Sequence, residues 1–424
     1  MPLISLRFPR CLMAQANLHE DYGIPSSARL AVTSLRQIEN ETPALAAEMR
    51  ADDVTIRGLV EGYDAALALG LSREYVARRA FDTTKALREI VQNALDETEA
   101  VLGKPDVEVR QDAQGLWIGD RGRGLPVEAL LMGATDKACW MRGYYGEGLK
   151  LAAGHFVLNG HPVYAFARGK VYKFIFAPKG VDNPRLYAIL GRSSRRESGT
   201  DILVQGLQVD RELLDRLVSF RSPLLQGKKI AETVTESADC PHAKPSAIYD
   251  TPNLLYIRNM YVGESSEVAK RQSLFSYDLW WFRLDVSRTL TTYSNPALFR
   301  EAAKIFASSP KALQRYAEKL VETGMVSVEK EEQGLALRLA PTFAIFEGHL
   351  FIYAVPQGLI PAVLSVLGLQ DKENVLGFTS SMAEARDGMR LGYLPFLVSN
   401  ETGQYLEGVP RLAELMAGGA PAQA

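Results

Sequence analysis

The sequence has few cysteines, little net charge and no long apolar run. Its 424 residues include three cysteines, Cys11, Cys139 and Cys240, which are too few and too scattered for a disulfide framework. The 48 Lys and Arg residues nearly balance the 50 Asp and Glu residues, so the formal charge of −2 argues against nucleic-acid binding through bulk charge, although a local basic patch stays possible. No stretch reaches the roughly 18 consecutive apolar residues of a membrane-spanning helix. These absences predict a cytoplasmic protein that does not enter a membrane.

The remaining composition is that of a folded globular protein, with 47% hydrophobic and 23% charged residues. A chain of this length suggests two or three domains. Helical patterns near residues 28–38, 43–49 and 55–69 predict that residues 1–80 form a helical N-terminal extension. A longer periodic segment over 72–102, ended by Gly103, predicts the first helix of the next domain.

The second half of the chain divides into two predicted parts. Residues 226–295 begin with a polar stretch broken by prolines and continue into strand-like residues, which predicts a β-rich insertion. Residues 296–424 alternate between helical and strand patterns, which predicts a C-terminal α/β domain. This domain opens with helix, helix and hairpin, the order of a winged-helix DNA-binding module. Its second helix, residues 310–323, mixes basic with acidic side chains, so a structural module is the favoured interpretation.

Four local signals lie between residues 84 and 200, and the first is a helix that contains Leu87–Glu97. At about 100° per residue, Glu89, Asn93 and Asp96 fall within roughly 60° of one another. Apolar residues occupy the opposite side of this helix. One face can therefore lie on a sheet while a narrow stripe presents carboxylates and an amide, although a solvated polar face would look the same.

Two further signals are turns next to strands. Asp120-Arg121-Gly122-Arg123-Gly124 follows the strand-like residues 116–118. A carboxylate at a strand end can accept a hydrogen bond from an exocyclic amine, and nearby glycines let the backbone approach a flat ring. Ser198-Gly199-Thr200 precedes the strand-like residues 202–204, where a hydroxyl could join Asp120 in holding a base. Each of these turns carries little information alone.

The last signal is a glycine-rich segment, Gly143-Tyr144-Tyr145-Gly146-Glu147-Gly148, which we call the glycine loop. It leads into a helical run over 149–156, so its backbone N–H groups and the helix dipole could receive phosphates. The loop does not follow a strand directly and lacks a Gly-Lys-Ser/Thr ending, so neither a Rossmann nor a P-loop motif fits.

Together, in this order, the four signals resemble the GHKL ATPases, the superfamily of DNA gyrase B, the heat-shock ninety chaperones, sensor histidine kinases and MutL. The resemblance covers about residues 80–210. It implies an α+β protein in which residues 81–225 form a GHKL (Bergerat) α/β sandwich with a mixed β-sheet. Helices would cover one face of that sheet, and ATP with Mg²⁺ would lie between these helices and the lid.

The resemblance also implies roles for individual residues. Asn93 would coordinate Mg²⁺ together with the phosphates, because magnesium prefers oxygen ligands and keeps several waters. Glu89, one turn earlier, would be the general base that deprotonates the attacking water. Asp120 would bind the adenine amine. The other implied nucleotide contacts are Asp96, Gly122, Gly124, Thr200, the lid residues Gly143, Gly146, Glu147, Gly148 and Leu149, and the candidate phosphate ligands Lys137 and Lys150.

A carboxylate at position 89 and a MutL-like small-Thr-x-Lys sequence before the glycine loop favour ATP hydrolysis. The implied protein is a homodimeric clamp that acts on a protein or DNA partner. Two alternatives stay open: a nucleotide-gated binding or sensor protein with little turnover, and a protein kinase. The kinase is less favoured because the one upstream histidine, His19, is followed by Gly23 and Pro25, which would interrupt a phosphoacceptor helix.

Two weaker signals lie outside the motif region. In related ATPases a second domain delivers a basic residue to the γ-phosphate, and Arg283 and Arg288 are the candidates here. Cys240 and His242 could suggest a metal, but no second ligand pair lies near them in the sequence, so no metal site is predicted there.

Overall fold

The chain divides into two compact units, Met1–Leu217 and Val218–Ala424. The structure is a computed structural model. It describes residues 32–50, 54–79, 81–131, 141–142, 147–177, 184–234, 244–268, 272–280, 295–331, 334–339, 356–369, 376–391, 393–398 and 410–418. The described residues form a mixed α and β protein with several sheets. The predicted four-part division at residues 80, 225 and 295 stays a prediction.

The first unit contains an eight-stranded sheet. Its strands in chain order are β1 (Val32–Ser34), β2 (Gly62–Ser72), β3 (Glu108–Asp112), β4 (Gly115–Gly119), β5 (Val163–Ala167), β6 (Lys170–Phe176), β7 (Arg185–Arg192) and β8 (Thr200–Gln205). Their order across the sheet is β1-β2-β7-β6-β5-β8-β4-β3. Every pairing within it is antiparallel, so the mixed sheet predicted for this region is wrong. Short hairpins join β3 to β4 and β5 to β6, and such connections require antiparallel neighbours.

Among the described residues of this unit, six helices accompany the sheet. They are α1 (Leu35–Glu41), α2 (Pro43–Arg50), α3 (Arg73–Arg78), α4 (Thr83–Leu102), α5 (Gly148–Leu158) and α6 (Arg211–Arg216). The single helical segment predicted over 72–102 is two helices, because Asp82 caps the start of α4 by accepting a hydrogen bond from the Lys85 N–H at 2.7 Å. Gly103 ends α4 in the left-handed region, as predicted.

Both faces of the eight-stranded sheet are covered, whereas helices were predicted on one face. On the first face α4 packs against α5, and both contact the sheet. On the second face, α1 and α2 pack against Ile175 and Ile189. A 3-10 helix over Val54–Leu59 packs there against Trp117 and Phe166. The buried Lys173 holds α2 there, since its Nζ donates to the Glu48 carbonyl at 2.9 Å in the last turn of that helix.

The helix predicted over residues 55–69 is wrong. This stretch contains the 3-10 helix and the first eight residues of β2. Its alanines and leucines favour a helix by propensity, but β2 pairs with β1 on one side and with β7 on the other. Pairing with a strand more than 100 positions away in the sequence outweighs that preference.

The second unit contains two sheets. Their strands are β9 (Lys229–Thr233), β10 (Ser246–Tyr249), β11 (Leu254–Ile257), β12 (Met260–Glu264) and β13 (Ser276–Leu279) in the first, and β14 (Val326–Glu331), β15 (Gly334–Leu339), β16 (Leu376–Thr379) and β17 (Leu394–Leu397) in the second. The first sheet has the order β12-β11-β13-β10-β9 and the second β14-β15-β17-β16. Each combines parallel with antiparallel pairs.

The described helices of this unit are α7 (Ser265–Val268), α8 (Asn295–Ala307), α9 (Pro310–Glu322), α10 (Pro356–Val366), α11 (Met382–Arg390) and α12 (Leu412–Ala417). Of these, α8, α9 and α10 join the two sheets in one apolar core. The predicted order of helix, helix and hairpin is present as α8, α9 and β14–β15. However, β15 also pairs with β17, and α9 packs on α10. The hairpin is therefore part of a larger α/β layer.

Two of the three basic side chains of α9, Arg315 and Lys319, contact acidic side chains. Arg315 donates to Asp250 at 2.7 Å, and its guanidinium also contacts Glu318 and Glu322 at 2.8 and 2.9 Å. Lys319 contacts Asp250 at 3.2 Å. A protein binds the DNA backbone through Lys and Arg side chains that neutralise phosphates. Because Arg315 and Lys319 already contact carboxylates, their pairing favours a structural role for α9 over DNA recognition.

Candidate functional site

The turn after β4 and the start of β8 come together in the sheet. Gly119 is paired with Asp201, and the Asp120 N–H donates to the Thr200 carbonyl at 2.9 Å. In return, the Asp120 Oδ1 atom accepts the Thr200 N–H at 3.2 Å and the Gly122 N–H at 2.7 Å. The antiparallel register of β4 and β8 thus places two sequence signals, 80 residues apart, in direct contact.

Asp120 is a buried carboxyl group with a perturbed pKa. It is 6% exposed. Burial raises its pKa to about 7, and the nearby Glu97 carboxylate adds to the rise. The two N–H donors and the Arg196 guanidinium act in the opposite direction. Within the described residues both hydrogen bonds to the carboxyl group reach Oδ1, so Oδ2 is the atom that can accept a bond from a ligand.

Glycine is required where the backbone segments around Asp120 meet. A Cβ atom at Gly122 would lie 2.5 Å from the Glu97 Cβ, so the turn packs directly on α4. Gly199 has φ +70°, and a Cβ there would lie 2.1 Å from the Asp120 carbonyl oxygen. Gly124 has φ +81° and would meet the Gly199 carbonyl at 3.0 Å. These glycines let α4, the β4 turn and the start of β8 approach one another.

Helix α4 carries a stripe of polar residues toward this turn. Glu89, Asn93 and Glu97 are spaced four residues apart and lie on one side of the helix. Glu89 is fully buried, whereas Asn93 and Glu97 are partly exposed. The Asn93 Nδ2 atom donates to the Glu89 backbone carbonyl at 2.8 Å. The oxygen of the Asn93 side-chain amide therefore points away from that carbonyl. The stripe ends at Gly122 and Asp120.

An ion pair fixes the glycine-rich turn to α4. Glu97 accepts two hydrogen bonds from Arg123, at 2.9 and 2.8 Å, in a bidentate arrangement. Arg168, in the turn between β5 and β6, donates from Nε to the Arg123 carbonyl at 2.9 Å and lies against Gly124. Neither arginine was predicted, although Glu97 continues the stripe four residues after Asn93.

Asp96 lies in a buried ion cluster. Its Oδ1 atom accepts both the backbone N–H of Arg142 at 2.8 Å and the guanidinium of Arg142 at 3.2 Å. Glu99, one turn later, accepts from the same guanidinium at 2.5 Å. The side chains of Asp96, Glu99 and Arg142 are 0%, 1% and 2% exposed. Asp96, predicted to contact nucleotide, thus faces Arg142 and has no exposed surface.

Two further predicted site residues, Glu147 and Lys150, lie at the start of α5. Lys150 is almost fully buried, and its Nζ donates to the Leu131 carbonyl at 2.5 Å. Burial lowers the pKa of Lys150 to about 8, and the Glu147 carboxylate partly opposes that fall. Glu147 in turn accepts a hydrogen bond from the Tyr75 hydroxyl at 3.4 Å. Gly148 and Leu149 are the first two residues of α5, whose N-terminal N–H groups lie at this end of the helix.

Several predicted residues lie outside the described part of the chain. They are Lys137, Gly143, Gly146, Arg283, Arg288, His19, Cys240 and His242. Of the predicted site residues that are described, Asp120, Gly122, Gly124 and Thr200 form one cluster, and Asn93 and Glu89 continue it along α4. Arg142 carried no sequence signal, because nothing in its local spacing connects it with Asp96.

Comparison with known proteins adds no family. No protein-family model matches the chain, and a search of curated proteins gives no significant match. In the described parts of the chain no helix is both long and apolar enough to cross a membrane. Among those same residues, no group of three or more His, Cys, Asp or Glu side chains is arranged to hold a metal ion.

Proposed function

We propose that this chain binds ATP and hydrolyses it with Mg²⁺, and that residues 81–225 form a GHKL (Bergerat) α/β sandwich. The observation that carries the proposal is the single line of groups made by Glu89, Asn93 and Glu97 on α4 and by the buried Asp120 at its end. An acceptor for an exocyclic amine would thus lie at the Asp120 end of this line, and the amide of Asn93 with the carboxylate of Glu89 would lie on α4 at the other end.

The dimensions of this line suit a nucleoside triphosphate. Eight residues separate Glu89 from Glu97, which corresponds to about 12 Å along an α-helix. Adenine bound at Asp120, with the Gly122 turn beneath it, would send its phosphates toward Asn93 and Glu89. The N-terminal N–H groups of α5, which packs against α4, would meet those phosphates.

The residues at the phosphate end fit a magnesium site of the kind that nucleotides bring with them. Asn93 offers an amide oxygen, the hard ligand that Mg²⁺ prefers, and phosphate oxygens and waters would supply the rest. Bound Mg²⁺ would neutralise charge on the phosphates. Glu89 would accept the proton of the attacking water, and its burial excludes bulk solvent from that proton transfer.

Replacing Asp120 by asparagine tests the binding site. The new amide nitrogen would face the adenine amine, so the affinity for adenosine is expected to fall about 30- to 150-fold, or about 2–3 kcal/mol. Asp112→Asn is the matched control. Like Asp120, Asp112 accepts a hydrogen bond from the backbone N–H two residues later, that of Gln114, at 2.9 Å. It lies at the opposite end of the β3–β4 hairpin from Asp120. Equilibrium binding of adenosine, and phosphate release from Mg-ATP, would be measured for both variants and the wild type.

The pH dependence of adenosine binding is a second measurement on Asp120. With a pKa of about 7, the carboxylate that accepts the amine forms as the pH rises. Its fraction grows about tenfold between pH 6 and pH 8, so adenosine affinity should increase by about the same factor. Asp120→Asn should abolish this increase. Affinity that is flat over this range in the wild type would contradict the assignment of Asp120 as the acceptor.

We also propose that the active form is a homodimer that acts on a macromolecular partner. This part rests on the resemblance of the motif region to ATPases that close as dimers when ATP binds. Molar mass measured with and without a non-hydrolysable ATP analogue tests it. A strict monomer under both conditions would remove the clamp from the proposal and leave the ATP site untouched.

A further inference from the structure

The connection between β7 and β8, residues 193–199, carries an arginine that has no step in the proposed hydrolysis. The turn between β5 and β6 holds this connection, since the Gly169 N–H donates to the Arg196 carbonyl at 2.8 Å and the Ser193 N–H donates to the Gly169 carbonyl at 3.0 Å. The connection ends at Thr200, the first residue of β8. Because β5 also pairs with β8, the backbone of Arg196 has a fixed position relative to Thr200.

The side chain of Arg196 reaches from this connection to the turn that contains Asp120. Its Nη2 atom donates to the Asp120 backbone carbonyl at 2.6 Å. The Asp201 Oδ1 atom lies 3.7 Å from the same nitrogen, and the Arg196 side chain is 24% exposed. The Asp120 N–H donates to the Thr200 carbonyl at 2.9 Å. Both backbone groups of Asp120 are thus bonded to residues 196 and 200, and a guanidinium lies beside the proposed amine acceptor.

The Asp120 carboxyl group lies among opposing charges. Burial raises its pKa, the Glu97 carboxylate of α4 adds to the rise, and the Arg196 guanidinium opposes it. The other charged groups around this turn are Arg123, which pairs with Glu97, Arg168, which donates to the Arg123 carbonyl, and Asp201 with its further partner Arg195. Arg196 therefore favours the ionised form of a carboxyl group that burial would keep protonated.

We propose that Arg196 is a positioning residue of the base pocket, which acts through Asp120 and keeps its carboxyl group ionised near neutral pH. The inference rests on the proposed function, because ionised Asp120 is the proposed acceptor for the adenine amine. Arg196 is bonded to the Asp120 backbone, so this effect needs no contact between Arg196 and the ligand. Adenosine affinity should then depend on Arg196 at neutral pH and become independent of it at alkaline pH, where Asp120 ionises without a cation beside it.

The test measures dissociation constants of adenosine at two pH values, about 7 and about 9, for the full chain as wild type, Arg196→Met and Arg196→Lys. Loss of the cation disfavours the carboxylate, so Asp120 should ionise at a higher pH in Arg196→Met. A pKa that rises by about one unit from about 7 lowers the ionised fraction at neutral pH from about a half to about a tenth, so adenosine should bind about fivefold more weakly. At the higher pH the two proteins should differ by less than about twofold. Arg196→Lys, which keeps the charge, should lie close to the wild type at both pH values.

Arg195→Met is the matched control. The side chain of Arg195 is 23% exposed and its Nε atom lies 3.3 Å from Asp201, so it shares its exposure and its ion-pair partner with Arg196. Its guanidinium, however, lies over the Trp117 ring, 3.9 Å from the ring centroid. The ratio of the two dissociation constants should equal that of the wild type in this control. If Arg196→Met does not fold, Arg196→Gln, which removes the same charge and retains an amide donor, replaces it in the comparison.

Each other outcome decides against one statement. If Arg196→Met loses the same affinity at both pH values, or none at neutral pH, the charge of Arg196 does not act on Asp120, and the inference fails while the ATP site stands. A loss in Arg196→Lys or Arg195→Met that equals the loss in Arg196→Met overturns it as well. If the wild type binds no adenosine at either pH, the proposed function itself fails, and the role of Arg196 fails with it.

Discussion

Replacing Glu89 by alanine is expected to lower the rate of phosphate release from Mg-ATP by about 10²- to 10⁴-fold, the contribution of a well-placed general base. Nucleotide binding should be retained, because the proposed contacts with adenosine lie at Asp120 and the proposed contacts with the phosphates lie at Asn93 and the start of α5. Steady-state phosphate release and equilibrium binding of a non-hydrolysable ATP analogue, both measured on the same preparation, check the two halves of this expectation.

Glu89→Gln separates the chemistry from the packing. Glu89 is fully buried, so alanine leaves a cavity that could disturb α4. Glutamine keeps the volume of the side chain and removes its basicity. If both variants lose turnover and keep the nucleotide, Glu89 is the base. Glutamine with near wild-type turnover would show that the alanine effect comes from packing, and the base would have to be sought elsewhere.

Asn93→Ala gives a different expected pattern from Glu89→Ala. The amide is proposed to bind Mg²⁺ together with the phosphates, so its loss should weaken Mg-ATP binding as well as turnover. Adenosine binding should be nearly unchanged. A wild type that binds nucleotide but releases no phosphate would instead favour the sensor alternative, and labelled phosphate transferred to protein would favour the kinase.

The sequence motifs singled out the helix and the two turns that meet around Asp120. Glu89 and Asn93 could be placed on one helix because helical periodicity is a local property. Asp120 and Thr200 could be placed together only through the resemblance, since their contact depends on the register of β4 with β8. The strand β2 was missed because its alanine-rich sequence favours helix and its partner β7 lies more than 100 residues away.

Other features depend on contacts that leave no trace in local spacing. Arg142 contacts Asp96 at a separation of 46 residues. The residues next to Arg142 in the sequence do not distinguish it from a solvated arginine. On the second sheet face, Lys173 reaches the last turn of α2 at a separation of 125 residues. A single sequence carries no pairing information of this kind. Glycines at which two backbone segments lie in contact can be tested directly by substitution with alanine.

Replacing Gly199 by alanine is expected to lower the free energy of unfolding by more than about 3 kcal/mol. Part of this cost, about 1 kcal/mol, comes from holding alanine at φ +70°. The larger part comes from contact, because the new Cβ would lie 2.1 Å from the Asp120 carbonyl oxygen and only backbone movement could relieve it. That movement would separate Thr200 from Asp120, so adenosine binding should fall with stability. Chemical denaturation followed by circular dichroism measures the first effect.

Gly103→Ala isolates the contact from the conformational cost. Gly103 has φ +69°, nearly the value at Gly199, but a Cβ there would meet no atom within 4 Å. It should therefore lose only about 1 kcal/mol and keep full adenosine affinity. Equal losses in the two variants would mean that β8 can shift away from the Asp120 turn at no cost. The hydrogen bonds between Thr200 and Asp120 would then not define the pocket, and the amine acceptor would lack the rigid support that the proposed nucleotide site requires.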